Sequence, residues 1–220
     1  MEPHTSKNAT AHLDQPRTVV FFGISGAGKG TQADLLVRYL AAVDPTRRVV
    51  RVDQGALLRS RASHDDDLGR RVTAIIAAGE LVPNFVATGL LAEYVSKNYS
   101  AANHFVFDGV ARYDLQAQTF EELMVFFDRA DWEMVVLELS EQEARKRLAL
   151  RGRDDEATDE QRRRRFRWWA EKTLPAIELL EKKGRKVHRI EGSMPVERVH
   201  EAILGTPASA SNFAAPRTAA

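Results

Sequence analysis

A run of glycines around one lysine is the stretch of this sequence whose residue types and spacing most clearly suggest chemistry. The run reads Gly-Ile-Ser-Gly-Ala-Gly-Lys-Gly-Thr-Gln over residues 23–32. Glycine lets a backbone curl so that successive N–H groups point at one anion. A lysine in such a loop reaches the outer phosphates of a nucleotide. The pattern predicts a nucleotide phosphate site made by Gly26, Ala27, Gly28, Lys29, Gly30 and Thr31.

The segments on either side of this loop support that prediction. Before it, Thr18–Phe22 is a short apolar, β-branched and aromatic run, which is typical of a buried strand. After it, Lys29–Val43 has apolar residues at helical spacing, and the positive end of a helix dipole favours an anion. The alternative is a glycine-rich turn with a surface lysine, but it leaves the strand and the helix unexplained.

The rest of the chain alternates short apolar runs with longer amphipathic ones, which predicts a parallel sheet covered by helices on both faces. The predicted strands are Thr18–Phe22, Val49–Val52, Phe105–Phe107, Met134–Leu139 and Val187–Ile190. The predicted helices are Lys29–Val43, Gly55–Ser63, Asp67–Ala78, Phe85–Tyr99, Leu115–Phe127, Glu141–Leu150, Glu160–Lys183 and Val196–Ile203. Three of these helices lie between the second and third strands, which is long for a simple crossover and predicts a small helical subdomain on the sheet.

Length and composition restrict the classes of protein that this chain can belong to. Its 220 residues, 44% of them hydrophobic, suit one domain over residues 17–204, with disordered segments at 1–16 and 205–220. The 32 basic and 31 acidic residues give no general argument for binding nucleic acid or membranes. The absence of cysteine excludes disulfides and cysteine-based zinc sites. No secretory signal or membrane-spanning run is visible, so we expect a cytoplasmic protein.

One acidic residue follows a predicted strand at the edge where the phosphate loop should lie. Asp108 ends the third strand and precedes a glycine. A carboxylate there can face Mg²⁺ or its water shell at the phosphates. A turn or capping role is the alternative for an isolated aspartate. Because a phosphate loop lies on a neighbouring strand, we favour the metal role.

Arginines form the second signal of phosphate chemistry. Six lie at helix ends or in loops expected over the carboxyl edge of the sheet: Arg59, Arg112, Arg147, Arg151, Arg153 and Arg165. The planar guanidinium grips a phosphate with two hydrogen bonds and remains charged. For the run 162–167, a solvated basic helix or a nucleic-acid contact is the alternative, but acidic residues lie directly beside it. The six histidines lack the spacing of metal ligands.

Several motifs, in order along residues 17–204, resemble the adenylate kinases of the nucleoside monophosphate kinase family. They are the phosphate loop at 26–32, Gly55 with Leu57-Leu58-Arg59, Gly79 to Pro83, Asp108-Gly109 with Arg112 and Gln116, Arg165 with 173–177, and the turn 191–195. The resemblance implies a P-loop NTPase-type fold with core segments 17–52, 100–150 and 160–204. It also implies a helical monophosphate-binding insert at 53–84 and a short lid at 151–159, which belongs to the metal-free type of lid.

The same resemblance assigns roles to individual residues. ATP would be bound by the loop residues 26–31 together with Arg147, Arg151 and Met194. AMP would be bound by Gln54, Arg59, Leu81, Val82, Gly109, Arg112, Gln116, Arg153 and Arg165. The catalytic group would be Lys29, Arg112, Arg153 and Arg165, with Asp108 positioning Mg²⁺ through water.

Four positions depart from the family pattern. Ser25 and Ala111 each replace a proline, Gln54 stands where a threonine or serine approaches the acceptor adenine, and Ala56 replaces an aspartate. The lid register is also about two residues off the usual pattern. Trp168 and Trp169 stand where smaller residues or tyrosine are common, and we expect them to pack in the core rather than stack on a base.

These observations predict reversible, Mg²⁺-dependent transfer of a phosphoryl group from ATP to AMP, giving two ADP without a covalent intermediate. Gln116 favours AMP as acceptor, because its amide can pair with an adenine edge through two hydrogen bonds. A UMP/CMP kinase is the main alternative, and a non-catalytic nucleotide-binding module is another. We expect a monomer whose partners are ATP, AMP and ADP, with no protein-bound zinc, nucleic acid or membrane partner.

Overall fold

Five parallel strands form one sheet, and helices cover both of its faces. The computed structural model describes residues 13–151 and 158–205, apart from the side chain of Arg151. The strands are β1 (Thr18–Gly23), β2 (Val49–Asp53), β3 (His104–Asp108), β4 (Glu133–Glu138) and β5 (Val187–Glu191). The described helices are α1 (Lys29–Val43), α2 (Gln54–Ala62), α3 (Asp67–Ala77), α4 (Asn84–Asn98), α5 (Asp114–Phe126), α6 (Glu141–Arg151), α7 (Asp159–Trp168), α8 (Leu174–Lys182) and α9 (Val196–Leu204). The predicted fold class is confirmed.

The central strand β1 is buried on both faces because its side chains alternate between two apolar layers. Val20 and Phe22 belong to a cluster that includes residues of α4, α5 and α8. Val19 and Phe21 belong to a second cluster, with residues of α1, α6 and α9. A strand covered on both faces is a continuous apolar run, which is why Thr18–Phe22 could be recognised in the sequence.

The strand order places the phosphate loop at the middle of the sheet. The order is β2-β3-β1-β4-β5, so β1 lies between β3 and β4. In the register of these strands Phe21 pairs with Asp108, and Asp53 also pairs with Asp108. Ligands of open α/β sheets bind at the carboxyl ends of the strands, where the connections diverge. The loop after β1 and the ends of β2 and β3 therefore lie at one edge.

The helices after β2 have a small core of their own. Leu58, Val72, Val82 and Val86 form an apolar cluster separate from the two layers on the sheet. Helix α4 continues into the main cluster through Leu91 and Val95. We call α2, α3 and the first turns of α4 the helical subdomain, while the monophosphate-binding insert at 53–84 stays a prediction.

Two side chains of α7 join this helical subdomain to the C-terminal part of the chain. Gln161 donates from Nε2 to the carbonyl oxygen of Ala77 at 2.8 Å. Arg164 donates from Nη1 to the carbonyl oxygen of Ala78 at 2.9 Å and forms an ion pair with Glu80 at 3.2 Å. These contacts satisfy carbonyl groups at the end of α3, which have no partner within that helix.

One predicted helix, Glu160–Lys183, is interrupted in the structure. Residues Trp169–Thr173 form a π-helical turn between α7 and α8. Pro175 lies in the first turn of α8 and lacks the N–H that a continuous α-helix would use, which accounts for the change in hydrogen bonding. The turn also contacts the loop between β3 and α5, because Thr173 Oγ1 donates to the carbonyl oxygen of Arg112 at 2.9 Å.

The packed part of the chain begins before Arg17. Leu13 is buried in the cluster beneath α1, and its carbonyl oxygen accepts a hydrogen bond from Arg47. Most of the predicted N-terminal segment, residues 1–12, and the tail from 206 lie outside the described residues, as do residues 152–157 of the predicted lid. Within the described part, no helix is long and apolar enough to cross a membrane.

Candidate functional site

The glycine-rich loop curls between the end of β1 and the start of α1. Gly28 caps the helix with φ +92°, a left-handed conformation that other residues adopt only with strain. Lys29 turns back over the loop, and its Nζ donates to the carbonyl oxygens of Gly23 at 2.8 Å and Ile24 at 3.1 Å. The lysine charge therefore lies inside the curl, where the phosphates of a nucleotide would bind.

This loop forms one wall of an open cavity. The turn between β5 and α9, with Met194, and Arg147 of α6 also line it. All predicted ATP-binding residues whose side chains are described line this cavity: Gly26, Ala27, Gly28, Lys29, Gly30, Thr31, Arg147 and Met194. Arg151 ends α6, but its side chain is outside the described part.

Hydrogen bonds hold the β5–α9 turn against the loop helix. Gln32 is buried in α1, and its Nε2 donates to the carbonyl oxygen of Val196 at 2.8 Å. The N–H of Gly192 donates to the carbonyl oxygen of Glu138 at 2.7 Å. These bonds fix the turn that brings Met194 into the lining of this cavity.

A second cavity lies between the helical subdomain and the C-terminal helices. Its apolar wall includes Leu58, Ile76, Leu81 and Val82. Trp168 and Trp169 also line this cavity. Trp169 also packs against both apolar layers of the sheet, so the predicted core contact is present while the ring still borders the cavity.

Four positive charges lie where the two cavities meet. The residues that line both cavities are Ser25, Lys29, Gly55, Arg59, Gly109, Arg112 and Arg165. They come from the β1–α1 loop, α1, α2, the β3–α5 loop and α7, so distant parts of the sequence converge on one place. Lysine and arginine side chains shared between two cavities can hold two phosphate groups side by side.

Arg112 is held in position although the preceding residue is not proline. Its Nε donates to the carbonyl oxygen of Gly109 at 2.8 Å, and its backbone N–H donates to Gln116 Oε1 at 3.1 Å. Ala111 has φ +53°, which proline could not adopt. Burial lowers the pKa of the Arg112 guanidinium, and the Arg165 cation lowers it further, yet a guanidinium remains protonated in proteins.

Asp108 is nearly buried at the end of β3 and lines the cavity of the phosphate loop. Its Oδ2 accepts a hydrogen bond from Arg51 Nη2 at 3.3 Å. Gly30 follows Lys29 in the loop, and a Cβ at Gly30 would lie 3.6 Å from Oδ2 of Asp108. The carboxylate and the phosphate loop are therefore close neighbours.

Two residues predicted to contact the acceptor nucleotide use their side-chain amides in hydrogen bonds within the protein. Gln54 is buried, and its Nε2 donates to the carbonyl oxygen of Ala87 at 2.9 Å. Gln116 is also buried, with its amide oxygen on the backbone of Arg112. Neither is among the described residues that line the two cavities. Their contacts with an acceptor base stay predictions, as does the role of Arg153, which lies outside the described residues.

Sequence reasoning missed two charged residues of the site, Arg51 and Asp53. Arg51 forms ion pairs with both Asp108, at 3.3 Å, and Asp34, at 3.2 Å. Asp53 lines the phosphate-loop cavity. Their position at the carboxyl end of a predicted strand could have identified both residues, because the carboxyl ends of parallel strands meet at one edge of the sheet.

The comparisons with known proteins agree with this geometry. A sequence model described as adenylate kinase matches residues 21–185. The chain is 32% identical to an adenylate kinase of Thermobifida fusca over 191 residues, which cover 84% of this chain and 95% of that protein. It is 32% identical to one from a Synechococcus strain, covering 83% of this chain and 92% of that protein, and 30% identical to one from Thermus thermophilus, covering 87% and 97%. The chain belongs to the adenylate kinase family.

Proposed function

We propose that this protein transfers the γ-phosphoryl group of ATP to AMP, reversibly, with each nucleotide in one of the two cavities. The observation that carries the proposal is the set of four cations, Lys29, Arg59, Arg112 and Arg165, shared by both cavities. Phosphoryl transfer depends mainly on alignment of the groups and on neutralisation of their charge. A site with its positive charge at the junction of two cavities is suited to both requirements.

The donor phosphates would bind on the glycine loop. Lys29 would exchange its hydrogen bonds to the Gly23 and Ile24 carbonyl oxygens for contacts with the β- and γ-phosphates. The backbone N–H groups of the loop and the first turn of α1 would supply the remaining donors. Met194 and Arg147 also line this cavity and would contact the donor base.

The acceptor would bind in the cavity of the helical subdomain, with its phosphate toward Arg59 and Arg112. Leu81 and Val82 supply apolar surface for its base. Arg165 would lie over the transferring group, where a cation stabilises the charge of the transition state. The phosphoryl group would pass directly between the nucleotides, so none of these residues is assigned as a covalent nucleophile.

The residues present suit a magnesium ion that arrives with ATP. Mg²⁺ prefers oxygen ligands, keeps several of its waters, and is commonly held by one carboxylate and the substrate phosphates. Asp108 offers such a carboxylate beside the loop, and the described residues contain no cluster of three or more acidic or histidine side chains that would form a separate metal site. When bound, the ion would neutralise charge on the donor phosphates, with Asp108 holding one of its waters.

A panel of acceptors tests the proposed function. Purified protein with Mg·ATP and either AMP, UMP, CMP, GMP or dTMP should form ADP fastest with AMP, measured by a coupled assay. Faster turnover with UMP or CMP would contradict the choice of acceptor. ATP binding without transfer to any of the five would instead favour a non-catalytic nucleotide-binding module.

A further inference from the structure

A carboxylate lies among the cations of the site, at the end of β2. Asp53 lines the cavity of the phosphate loop together with Arg59 and Arg112. Its partner in the β2–β3 register is Asp108, so two carboxylates end neighbouring strands at this edge. The role proposed above for Asp108 gives Asp53 no function. A negative charge where two phosphate groups must bind therefore requires an explanation.

One oxygen of Asp53 has a structural task and the other faces an arginine of the site. Oδ1 accepts a hydrogen bond from the N–H of Ala56 at 2.9 Å and so caps α2. Oδ2 lies 3.9 Å from Nη2 of Arg59. The side chains of Asp53 and Arg59 are 34% and 40% exposed, so a ligand entering the cavity can reach both.

Gly55 lets the arginine come this close. A Cβ at Gly55 would lie 2.9 Å from Arg59 Nη1 and 3.1 Å from Asp53 Oδ1. Cβ atoms essentially never come within 3.0 Å of another non-bonded heavy atom, so a larger residue would displace the flexible guanidinium. The carboxylate, the glycine and the guanidinium thus pack as one unit.

This unit opposes the binding of an acceptor phosphate in two ways. A phosphate dianion must compete with Asp53 for Arg59, and it is repelled by the carboxylate itself. The influence extends to the second arginine, because Asp53 and Asp108 oppose the fall in the pKa of Arg112 that burial and Arg165 cause. Asp53 therefore acts on both arginines expected to hold the acceptor.

We propose that Asp53 sets the affinity for the acceptor nucleotide, by holding Arg59 in place while weakening the binding of the acceptor's phosphate. The inference rests on the proposed function insofar as it takes AMP as the acceptor. The Asp53 carboxylate should lower the affinity for AMP and leave the affinity for ATP unchanged.

Asp53→Asn separates the charge from the helix cap, because asparagine caps helices as well as aspartate does. The dissociation constant of AMP, measured by calorimetry without ATP, should fall about two- to fivefold, as expected for loss of a partly exposed charge pair. The KM for AMP should fall by a similar factor, the affinity for ATP should not change, and the gain should shrink as salt is added.

The neighbouring helix supplies a matched control. Asp66 caps α3 by accepting from the N–H of Gly69 at 2.7 Å and pairs with Arg61 at 2.7 Å, but it lines neither cavity among the described residues. Asp66→Asn should leave the affinity for AMP unchanged. Thermal unfolding checks that each variant folds, and Asp53→Ser, which also retains a capping group, replaces Asp53→Asn if that variant does not.

AMP binding that is unchanged or weaker in the folded Asp53 variants would overturn the inference, and so would an equal gain in Asp66→Asn. The two proposals fail separately. If the wild type forms no ADP yet Asp53→Asn binds AMP more tightly, the proposed function fails and the role of Asp53 stands. If the wild type forms ADP and the variant binds AMP no better, only the role of Asp53 is wrong.

Discussion

The phosphate loop and the helical subdomain meet where the two cavities join, but they are built in different ways. The loop is a contiguous stretch held by backbone geometry, with Gly28 in a left-handed conformation and Lys29 bound to carbonyl oxygens five and six residues away. The acceptor side is assembled from side chains of α2, the β3–α5 loop and α7. Its small core, around Val72, is separate from the core of the sheet.

This difference determines how each side of the site should respond to a substitution. Backbone N–H groups bind phosphate whatever the neighbouring side chains are, so the loop tolerates changes such as Ser25 for proline. On the acceptor side each contact depends on one side chain and on the packing that holds it. The departures Gln54, Ala56 and Ala111 all lie there. The following predictions test this contrast, in order of their expected effect on phosphoryl transfer.

The largest effect should come from the donor side. Lys29→Met removes the charge within the loop and should lower kcat for ADP formation about a thousandfold, since such a group acts mainly on the transition state. ATP affinity, measured by calorimetry, should also fall. Lys97→Met is the control, because Lys97 lies exposed on α4 and pairs only with Glu93 among the described residues. More than a tenth of the wild-type rate in Lys29→Met would contradict the assignment of the loop.

The acceptor side should be nearly as sensitive, but only toward AMP. Arg112→Lys keeps the charge and loses the planar fork that can hold a phosphate with two hydrogen bonds, so kcat/KM for AMP should fall about a hundredfold. The dissociation constant of ATP should remain near that of the wild type. Arg48→Lys, at an exposed arginine bonded to Asn98, is the matched control. A loss of ATP affinity equal to the loss for AMP would show that the two sides are not separate.

Core substitutions should distinguish the two regions by their stability. Val72 is 1% exposed in the core of the helical subdomain, and Val72→Ala should destabilise that core by about 2 kcal/mol. Local opening of the subdomain should raise the KM for AMP a few-fold and leave ATP binding unchanged. Leu40→Ala, on the buried face of α1, should instead lower global stability by about 2–5 kcal/mol with little change in either KM. Equal effects of the two variants on KM for AMP would refute a separately stabilised subdomain.

The smallest effect should come from the opposite end of the strands. His104 begins β3 and is fully buried; its Nδ1 accepts the N–H of Arg17 at 2.9 Å, so Nε2 carries the proton toward Asp44 at 3.2 Å. Burial lowers the pKa of His104, so the unfolded chain binds a proton more readily. The free energy of unfolding should therefore have its full value above about pH 6.5. Below that pH it should fall by up to about 1.4 kcal/mol per pH unit.

Chemical unfolding at pH 7.5, 6.5 and 5.5 measures this dependence. His104→Asn should be less stable than the wild type at pH 7.5 and should have a shallower slope. Nucleotide affinities should not follow the same curve, because the histidine lies far along β3 from Asp108. An unchanged slope in the variant would assign the acid sensitivity to another group.

The sheet and the position of the glycine loop could be predicted from the sequence because their signals are local. Apolar runs marked all five strands, and the glycine spacing marked the loop. The acceptor side was less predictable, because its geometry depends on contacts between distant residues. The amide of Gln54 is engaged by Ala87, thirty-three residues away, and that of Gln116 by the backbone of Arg112. Pro175 was a signal for the π-helical turn that the helix prediction overlooked.

The central claim is that a phosphoryl group passes directly between two nucleotides across four shared cations. A crystal structure with a bisubstrate mimic, two adenosines joined through a chain of phosphates, tests it most directly. One adenosine of the mimic should bind near Met194 and the other near Leu81 and Val82. Its phosphates should contact Lys29, Arg59, Arg112 and Arg165. A second adenosine bound outside the Leu81 cavity, or arginine side chains directed to solvent, would contradict it.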